Sequence, residues 1–443
     1  MKQTKIGDFL KRSKIPVDIL DDEHYNRVTI RINHNGVSTR DNELGKKIGT
    51  KKQFILKSGQ FILSKIDARY GAFGIAPEEV EGSIITGNFW AYDVDKIKVN
   101  IEWFNQFTNS PVFYEVCERA SSGITHRKYL DEKFFLNYEI LLPSLEEQLI
   151  QIEKIKEQKI SFGNLSTELT HQLTLVKKLR QQLLQDAVQG RLVPQNPSDE
   201  PASELLKKIK AEKQKLIAEG KLKKEKELPP IKAEEIPFEI PEGWVWCRLG
   251  EIVKIVTSGS RDWAKYYSLE GAIFVRMGNL SKDSYNLRMD KIQYVKPPRN
   301  QEGNRTRLEE NDILISITGE VGNLGLIPKD FGEAYINQHT ALVRLNRNII
   351  TKFICNLFLS VTMQKQFNAP QRGMKNSFRL TDIDYLLTPL PPISEQHRIV
   401  QKLEELMQNC DALEASIKDS ASQNEKLLQQ VLREALRKEV VAV

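Results

Sequence analysis

The sequence predicts an α+β protein built twice, each mixed domain followed by a long helix and the two helices pairing as an antiparallel coiled coil. Three observations lead there. Pro143-Ser144-Leu145-Glu146-Glu147-Gln148 returns roughly 250 residues later as Pro391-Pro392-Ile393-Ser394-Glu395-Gln396, a period far too long for a solenoid and suited to two copies of a whole domain. The register then holds without a gap until Gln181-Gln182-Leu183-Leu184 meets Gln429-Gln430-Val431-Leu432. Ahead of each junction, strand, turn and helix signals recur in the same order.

Each copy starts at a similar segment, Lys5-Ile6-Gly7-Asp8-Phe9 or Arg248-Leu249-Gly250-Glu251-Ile252. Gly59 to Ser64 and Asn311 to Ser316 each read as a turn followed by a buried strand. Gly71 to Pro77 and Gly322 to Pro328 read as turns, and Ser83 to Asp95 and Glu333 to Asn346 as a further strand pair. Trp103, Phe104, Phe107, Phe113, Val116 and Cys117 then recur at helical spacing, as do Phe353, Ile354, Leu357, Phe358 and Val361. Gly123 and Gly373 are expected to end those helices. A last strand leads into each Pro-rich junction.

Beyond the junctions, Leu149, Ile152, Ile155, Phe162, Leu165, Leu169, Leu173, Val176, Leu179, Leu183 and Ala187 fall at steps of three and four, with one interruption near Gly163. The second copy offers Val400, Leu403, Leu406, Cys410, Leu413, Ile417, Leu428, Val431 and Ala435. Such seams predict a two-stranded coiled coil, and about 45 helical residues make a rod of about 68 Å. Ser144-x-x-Glu147 is a capping box, whereas Pro392 in place of the serine requires a different cap in the second copy. Between the halves, Pro194, Pro197, Pro201, a lysine-rich run from Lys207 to Lys226, Pro229-Pro230 and Pro237 read as a largely solvated linker with one exposed helix. The expected division is 1–143 first domain, 144–192 long helix, 193–241 linker, 242–391 second domain and 392–443 second long helix.

The chain of 443 residues carries a net charge of +6, which permits a polyanionic partner without requiring one. The excess is concentrated from Trp244 to Leu390, where about 20 basic residues face about 14 acidic ones. Cys117, Cys247, Cys355 and Cys410 lie far apart with no C-x-x-C pair, which suggests neither a zinc site nor a disulfide framework. With no secretory or membrane-spanning pattern, a cytoplasmic location is expected.

Pro-x-x-x-Glu-Gln opening a long helix twice, together with Leu228-Pro229-Pro230-Ile231 running into Ile240-Pro241-Glu242-Gly243-Trp244-Val245-Trp246, resembles the specificity subunit of type I restriction–modification systems. The resemblance covers essentially the whole chain. It implies two target-recognition domains, each reading one half of a split double-stranded DNA site, and helices that separate them and carry two DNA methyltransferase subunits. Restriction and translocase subunits would complete the complex. S-adenosylmethionine, ATP and Mg would belong to those partners, with no cofactor, metal or membrane contact in this chain. The host would be bacterial or archaeal. Physics fits the architecture, since pseudo-twofold protein matches the dyad of duplex DNA and half-sites at fixed spacing need a rigid ruler.

Catalytic signatures are missing from the sequence. No Asp/Asn-Pro-Pro-aromatic motif accepts a flipped base, and no G-x-x-x-x-G-K-[ST] loop holds a nucleotide. Gly319-x-x-Gly322-x-x-Gly325 precedes no helix start and reads as a turn between strands. The six histidines are solitary. A non-catalytic DNA-binding chain is therefore expected, against the alternatives of a coiled-coil adaptor for proteins or a self-sufficient nuclease or methyltransferase.

Base reading needs Arg, Lys, Asn or Gln on loops that reach the groove. The candidates are Arg31, Arg69, Tyr70, Asn88, His126, Arg127 and Lys128 in the first copy. In the second they are Ser260, Arg261, Arg276, Asn279, Asn337, Gln338, Arg372, Lys375 and Asn376. Glu147, Gln148, Glu395 and Gln396 serve either to cap the helices or to dock partners, because a cap needs the carboxylate but not the same following glutamine twice.

Overall fold

The computed structural model describes residues 2–122, 128–222, 227–297, 303–369 and 378–437. It divides into two compact units, Met1–Thr170 with Lys418–Val443, and His171–Ile417.

In the first unit, four antiparallel strands lie in the order Leu10–Ser13, Phe89–Val94, Phe61–Ser64, Phe73–Ile75. Phe61 and Leu63 point to one face, against Trp103, Phe104, Phe107 and Phe113. Ile62, on the other face, joins Val28, Ile30 and Val37 of a second sheet. Burial on both faces explains why Phe61-Ile62-Leu63 is a continuous apolar run rather than an alternating one. The second sheet has five strands, in the order Pro16–Asp18, Lys52–Ile55, Ile84–Ile85, His24–Ile30, Val37–Leu44.

The second unit repeats the first sheet in the same order, Val253–Ser258, Thr340–Leu345, Ile313–Ser316, Leu324–Leu326. Ile313 and Ile315 face the helices, and Leu314 faces Val275, Ala334 and Ile336 of another sheet. That sheet differs from its counterpart: four strands, in the order Tyr267–Ser268, Gln293–Val295, Ala272–Val275, Ala334–Ile336. The terminal strands of each domain pair alike, Lys2–Lys5 with Glu139–Leu142 and Val245–Arg248 with Leu387–Leu390.

The helices are α1 (Ile101–Thr108), α2 (Pro111–Arg119), α3 (Glu132–Asn137) and α4 (Leu145–Val188), then α5 (Ala202–Ala218), α6 (Leu249–Ile252), α7 (Thr351–Leu359), α8 (Val361–Asn368), α9 (Leu380–Asp384) and α10 (Ile393–Arg437). Several expectations need correction. The single helix expected over Trp103 to Cys117 is two, because Ser110 caps α2 through its hydroxyl and Pro111 cannot continue α1. Ser360 divides the second copy in the same way. The turns at Gly71–Pro77 and Gly322–Pro328 contain the strands Phe73–Ile75 and Leu324–Leu326. Each long strand expected at Ser83–Asp95 and Glu333–Asn346 is two strands in different sheets, joined through residues 86–88 and 337–339. Gly123 and Gly373 lie outside the described residues.

α4 continues through Gly163, where Thr167 Oγ1 donates to the Gly163 carbonyl. In the second unit, Arg180 on α4 pairs with Asp411 and Glu414 on α10, while Leu184, Ala187 and Val188 meet Ile399, Val400 and Leu403. Positions rise along one helix as they fall along the other, so the pairing is antiparallel. The seam is narrower than expected, since Leu149, Leu165, Leu179 and Leu413 are exposed. One partner helix covers only one stripe of a helix surface.

The linker is not merely solvated. α5 buries Ala202, Leu205, Leu206 and Ile209 against a core that includes Trp244, Leu249 and Ile252. Their spacing is that of an amphipathic helix. Its polar edge is anchored as well, Lys210 to Glu251 at 2.6 Å and Glu212 to Asn346 at 3.1 Å. Leu205→Ala and Ile209→Ala are each expected to destabilise the second unit by about 2–4 kcal/mol, read as a lowered urea midpoint. Lys207→Ala, on the exposed side of the same helix, is the control expected to change it by less than about 0.5 kcal/mol.

Candidate nucleic-acid interface

The strands of the shared sheet end, in both copies, at the same backbone junction. In the first, the Lys65 N–H donates to the Asn88 carbonyl at 2.9 Å, and the Lys65 carbonyl accepts from the Leu130 N–H at 2.8 Å. In the second, the Ile317 N–H donates to the His339 carbonyl at 3.0 Å, and the Ile317 carbonyl accepts from the Phe378 N–H at 3.0 Å. One strand end is thus clamped between the crossover linking the two sheets and the segment that follows the helices. Because these bonds are made by the backbone, the side chains there are free to differ.

In the first unit this junction gathers most of the described candidates. Arg31 opens the hairpin turn between His24–Ile30 and Val37–Leu44. The turn is tied to the Arg69–Tyr70 loop by Asn33 N–H to Tyr70 O at 2.7 Å and His34 N–H to Gly71 O at 2.9 Å. Gly71 has φ +80°, and a Cβ there would sit 2.3 Å from the Tyr114 hydroxyl, so both backbone and space require glycine. Arg69 lies over the Tyr70 ring at 4.5 Å, with Tyr70 itself exposed. Asn88 is exposed on the crossover, while Lys128 is held by Glu118 at 3.7 Å. His34 bonds Thr108 Oγ1 at 2.9 Å, and burial holds its pKa below the usual histidine value. His126 and Arg127 lie outside the described residues.

In the second unit the corresponding cluster is Ser260, Arg261, Arg276, Asn337 and Gln338. The Gly259 N–H donates to the Asn337 carbonyl at 3.1 Å. A Cβ on Gly259 would lie 2.0 Å from the Ile336 carbonyl oxygen, so only glycine allows the two loops to meet. Ser260 is half-buried and Arg261 exposed just beyond it. Arg276 follows the strand Ala272–Val275 directly. Asn279 requires correction: it is buried, and its amide donates to the carbonyls of Arg288 and Lys291, so it shapes its loop rather than presenting to a ligand. Asn337 Oδ1 accepts from the His339 N–H and the Thr340 hydroxyl, which makes it a turn-former. Arg372, Lys375 and Asn376 lie outside the described residues.

Three side chains at this junction escaped the sequence reading. His339 bonds Thr318 Oγ1 through Nδ1 at 2.8 Å and the Gln338 amide through Nε2 at 2.9 Å, and Thr318 also reaches Met277 Sδ at 3.8 Å. The histidine looked solitary because Thr318 and Met277 are distant in sequence; its position beside Gln338 was the available signal.

The repeated Glu-Gln is a fastening. Gln148 is buried, its Oε1 accepts the Asn100 N–H at 2.7 Å, and its Nε2 donates to the carbonyls of Pro143 at 2.8 Å and Lys98 at 3.1 Å. Gln396 is buried likewise, accepting the Ile350 N–H at 3.0 Å and donating to Pro391 O at 3.0 Å. Asn100 and Ile350 are the N-caps of α1 and α7. Each glutamine thus ties the first turn of a long helix to the start of α1 or α7, the helix that follows the shared sheet. The expected docking role is corrected for Gln148, Glu395 and Gln396, which have no surface to offer a partner.

The glutamates diverge. Glu147 completes a capping box with Ser144, accepting its N–H at 2.7 Å, and this bond holds the carboxyl below the usual glutamate range. Glu395 is buried instead, accepting from Trp244 Nε1 at 2.8 Å and Gln195 Nε2 at 2.6 Å, and burial pushes its pKa up. The second cap is the Pro392 carbonyl, which accepts the N–H groups of Glu395 and Gln396. Among the described residues no group of His, Cys, Asp and Glu is arranged to hold a metal ion, and no helix is long and apolar enough to cross a membrane.

Comparison with known proteins finds likenesses to one family. The family model of the type I restriction modification DNA specificity domain matches residues 241–423. The chain is 38% identical over 269 residues to the EcoAI specificity subunit of Escherichia coli, an overlap of 59% of this chain and 44% of that protein. It is 26% identical over 401 residues to the Escherichia coli EcoEI specificity subunit, covering 76% of this chain and 65% of that one. The match therefore spans less than two thirds of either relative. Among solved structures, the fold is shared with the HsdS subunit of Thermoanaerobacter tengcongensis at 18% identity and TM-score 0.51, over 99% of this chain and 97% of that one. A chain from a structural study of type I R-M complex assembly and conformational transition aligns at 18% identity and TM-score 0.53, over 99% and 98%.

Gln148→Ala and Gln396→Ala are each expected to cost about 1–3 kcal/mol, because the first strands an N–H and two carbonyls and the second an N–H and one carbonyl; thermal unfolding reads the loss. Glu395 makes a pH-dependent contribution. Its folded pKa is raised, so the folded unit holds a proton that the unfolded chain releases, and stability falls as pH rises from the ordinary glutamate value through the raised one. Glu395→Gln is expected to flatten that part of the stability profile relative to the parent chain; an unchanged slope would assign it to other groups.

Proposed function

We propose that this chain is a specificity subunit of a type I restriction–modification system, as its likeness to that family supports, and that it is the non-catalytic DNA-reading member of such a complex and recognises a split, asymmetric sequence. The observation that carries the reading is the repeated junction. Two domains share one sheet order and the same pair of backbone clamps, yet present Arg31, Arg69, Tyr70 and Asn88 in one copy and Ser260, Arg261, Arg276 and Gln338 in the other. A common scaffold with different groups at its rim suits two half-sites of different sequence. Arginines at the rim supply both phosphate contact and bidentate guanine reading.

Partner methyltransferases, using S-adenosylmethionine, and an ATP-driven restriction subunit would act at the site so chosen. Their docking surface on this chain is better sought in the apolar side chains left exposed along the long helices, Leu149, Ile150, Ile160 and Leu165 in the first unit and Leu175, Leu179 and Leu413 in the second, than in the buried Glu-Gln pairs.

The test is single-molecule sequencing of methylated bases in DNA from cells carrying this chain with its partner methyltransferase, against cells lacking only this chain. A mark at one split motif that disappears with the chain is expected. Exchange of residues 242–391 for the corresponding domain of a relative should replace one half of the motif and leave the other unchanged. An active methyltransferase that marks the same bases without the chain, or an exchange that leaves both halves intact, favours a protein-binding adaptor instead.

A further inference from the structure

The hydrogen bonds around His339 have a direction. An amide nitrogen only donates, so Gln338 Nε2 gives a hydrogen to His339 Nε2 across 2.9 Å. That ring nitrogen is then the acceptor, and the ring proton resides on Nδ1, which donates to Thr318 Oγ1 at 2.8 Å. The Thr318 hydroxyl passes its own hydrogen to Met277 Sδ at 3.8 Å. The chain Gln338, His339, Thr318, Met277 is thus satisfied in one sense throughout. Its backbone is equally fixed, by Asn337 Oδ1 accepting the His339 N–H and by Ile317 N–H donating to His339 O.

One group is left over. The Gln338 amide carries two hydrogens on Nε2 and a carbonyl Oε1. The bond to His339 uses one hydrogen, and Oε1 has no hydrogen-bond partner among the described residues. When the hydrogen anti to the carbonyl goes to His339, the syn hydrogen and Oε1 remain side by side. That donor–acceptor edge is the complement of adenine, whose N7 accepts and whose N6 amino group donates in the major groove. Holding the amide in place beforehand removes part of the side-chain ordering that a free glutamine must undergo on binding.

We propose that Gln338 reads an adenine in the half-site of the second domain, with His339 and Thr318 as positioning residues. The inference rests on the DNA-reading function proposed above. The first domain has Gly87 and Asn88 on its equivalent crossover, so it lacks this relay and reads its half differently. Arg261, exposed beside the crossover, and Arg276, half-buried at the end of a neighbouring strand, bring positive charge to the same rim.

The experiment maps methylated motifs in cells carrying the full chain and its partner methyltransferase, with the half belonging to the second domain assigned by the domain exchange. The parent chain is expected to require adenine at one position of that half. Gln338→Ala should lower the preference there about tenfold to a hundredfold and leave the first half untouched. Gln338→Glu should move the preference toward cytosine, whose amino group a carboxylate accepts. Thr318→Val should weaken the same position, and Thr318→Ser, which keeps the hydroxyl, should restore it; a merely structural threonine would not confine its effect to one base. An unchanged motif in both Gln338 variants overturns the proposal, as does a parent motif with no adenine in that half. Methylation lost at every position, with the chain folded and abundant, also counts against base reading. A parent chain that directs no motif at all refutes the DNA-reading function itself, a distinct result.

Discussion

A buried primary amide holds each half of this molecule together. Gln148 and Gln396 occupy the first turn of a long helix, accept the N-cap N–H of α1 or α7, and return hydrogens to the proline junction just crossed. An amide is well suited to this place because it offers acceptor and donors at once without charge. A carboxylate would lack the donors, and a lysine would lack the acceptor. The base of each long helix is thereby fastened to its own domain by hydrogen bonds. Around Gln396 the constraint is reinforced by Glu395, which collects Trp244 and Gln195 from chain segments on either side of α5.

The rim of each domain follows the opposite logic. There the fixed parts are backbone groups, and the variable parts are side chains. The crossover at residues 86–88 and 337–339 carries the chain from one sheet to the other, and a single residue on the neighbouring strand end, Lys65 or Ile317, holds it by main-chain bonds alone. Glycine is needed where loops crowd, at Gly71 and Gly259, and an asparagine side chain completes the backbone bonding at Asn279 and Asn337. Such a rim tolerates change of sequence without change of fold, which is the property a family of sequence readers requires under the proposed function.

Duplication placed these two logics side by side twice. The shared four-stranded sheet kept its order, buried on both faces by α1 and α2 or α7 and α8 on one side and by the second sheet on the other. The second sheet differs, with five strands in one copy and four in the other, and it supplies the hairpin turn with Arg31 in one copy and the Arg276 loop in the other. Divergence is concentrated where the rim is built.

By itself the sequence determined the α+β class, the two copies, the long helices with their apolar seam, and the capping box at Ser144, because these depend on periodicity and on interactions within a few residues. It pointed to the rim loops through residue type, and the turn that Arg31 opens is bonded through Asn33 and His34 to the loop of Tyr70 and Gly71. It could not separate Gln148 from a docking residue or Asn279 from a base reader, since a glutamine or asparagine looks the same whether its partners are backbone groups fifty residues away or a ligand. It missed the division at Ser110-Pro111 and the burial of α5, although both had local signals, because the surrounding aromatic and lysine patterns outweighed them. Only the tertiary structure decided that Lys65 and Ile317 clamp equivalent crossovers, that Glu147 and Glu395 serve different ends, and that His339 connects Gln338 to Thr318. Each of those turns on hydrogen bonds between segments far apart in the chain, whose pairing is set by how the two sheets pack rather than by any spacing the sequence displays.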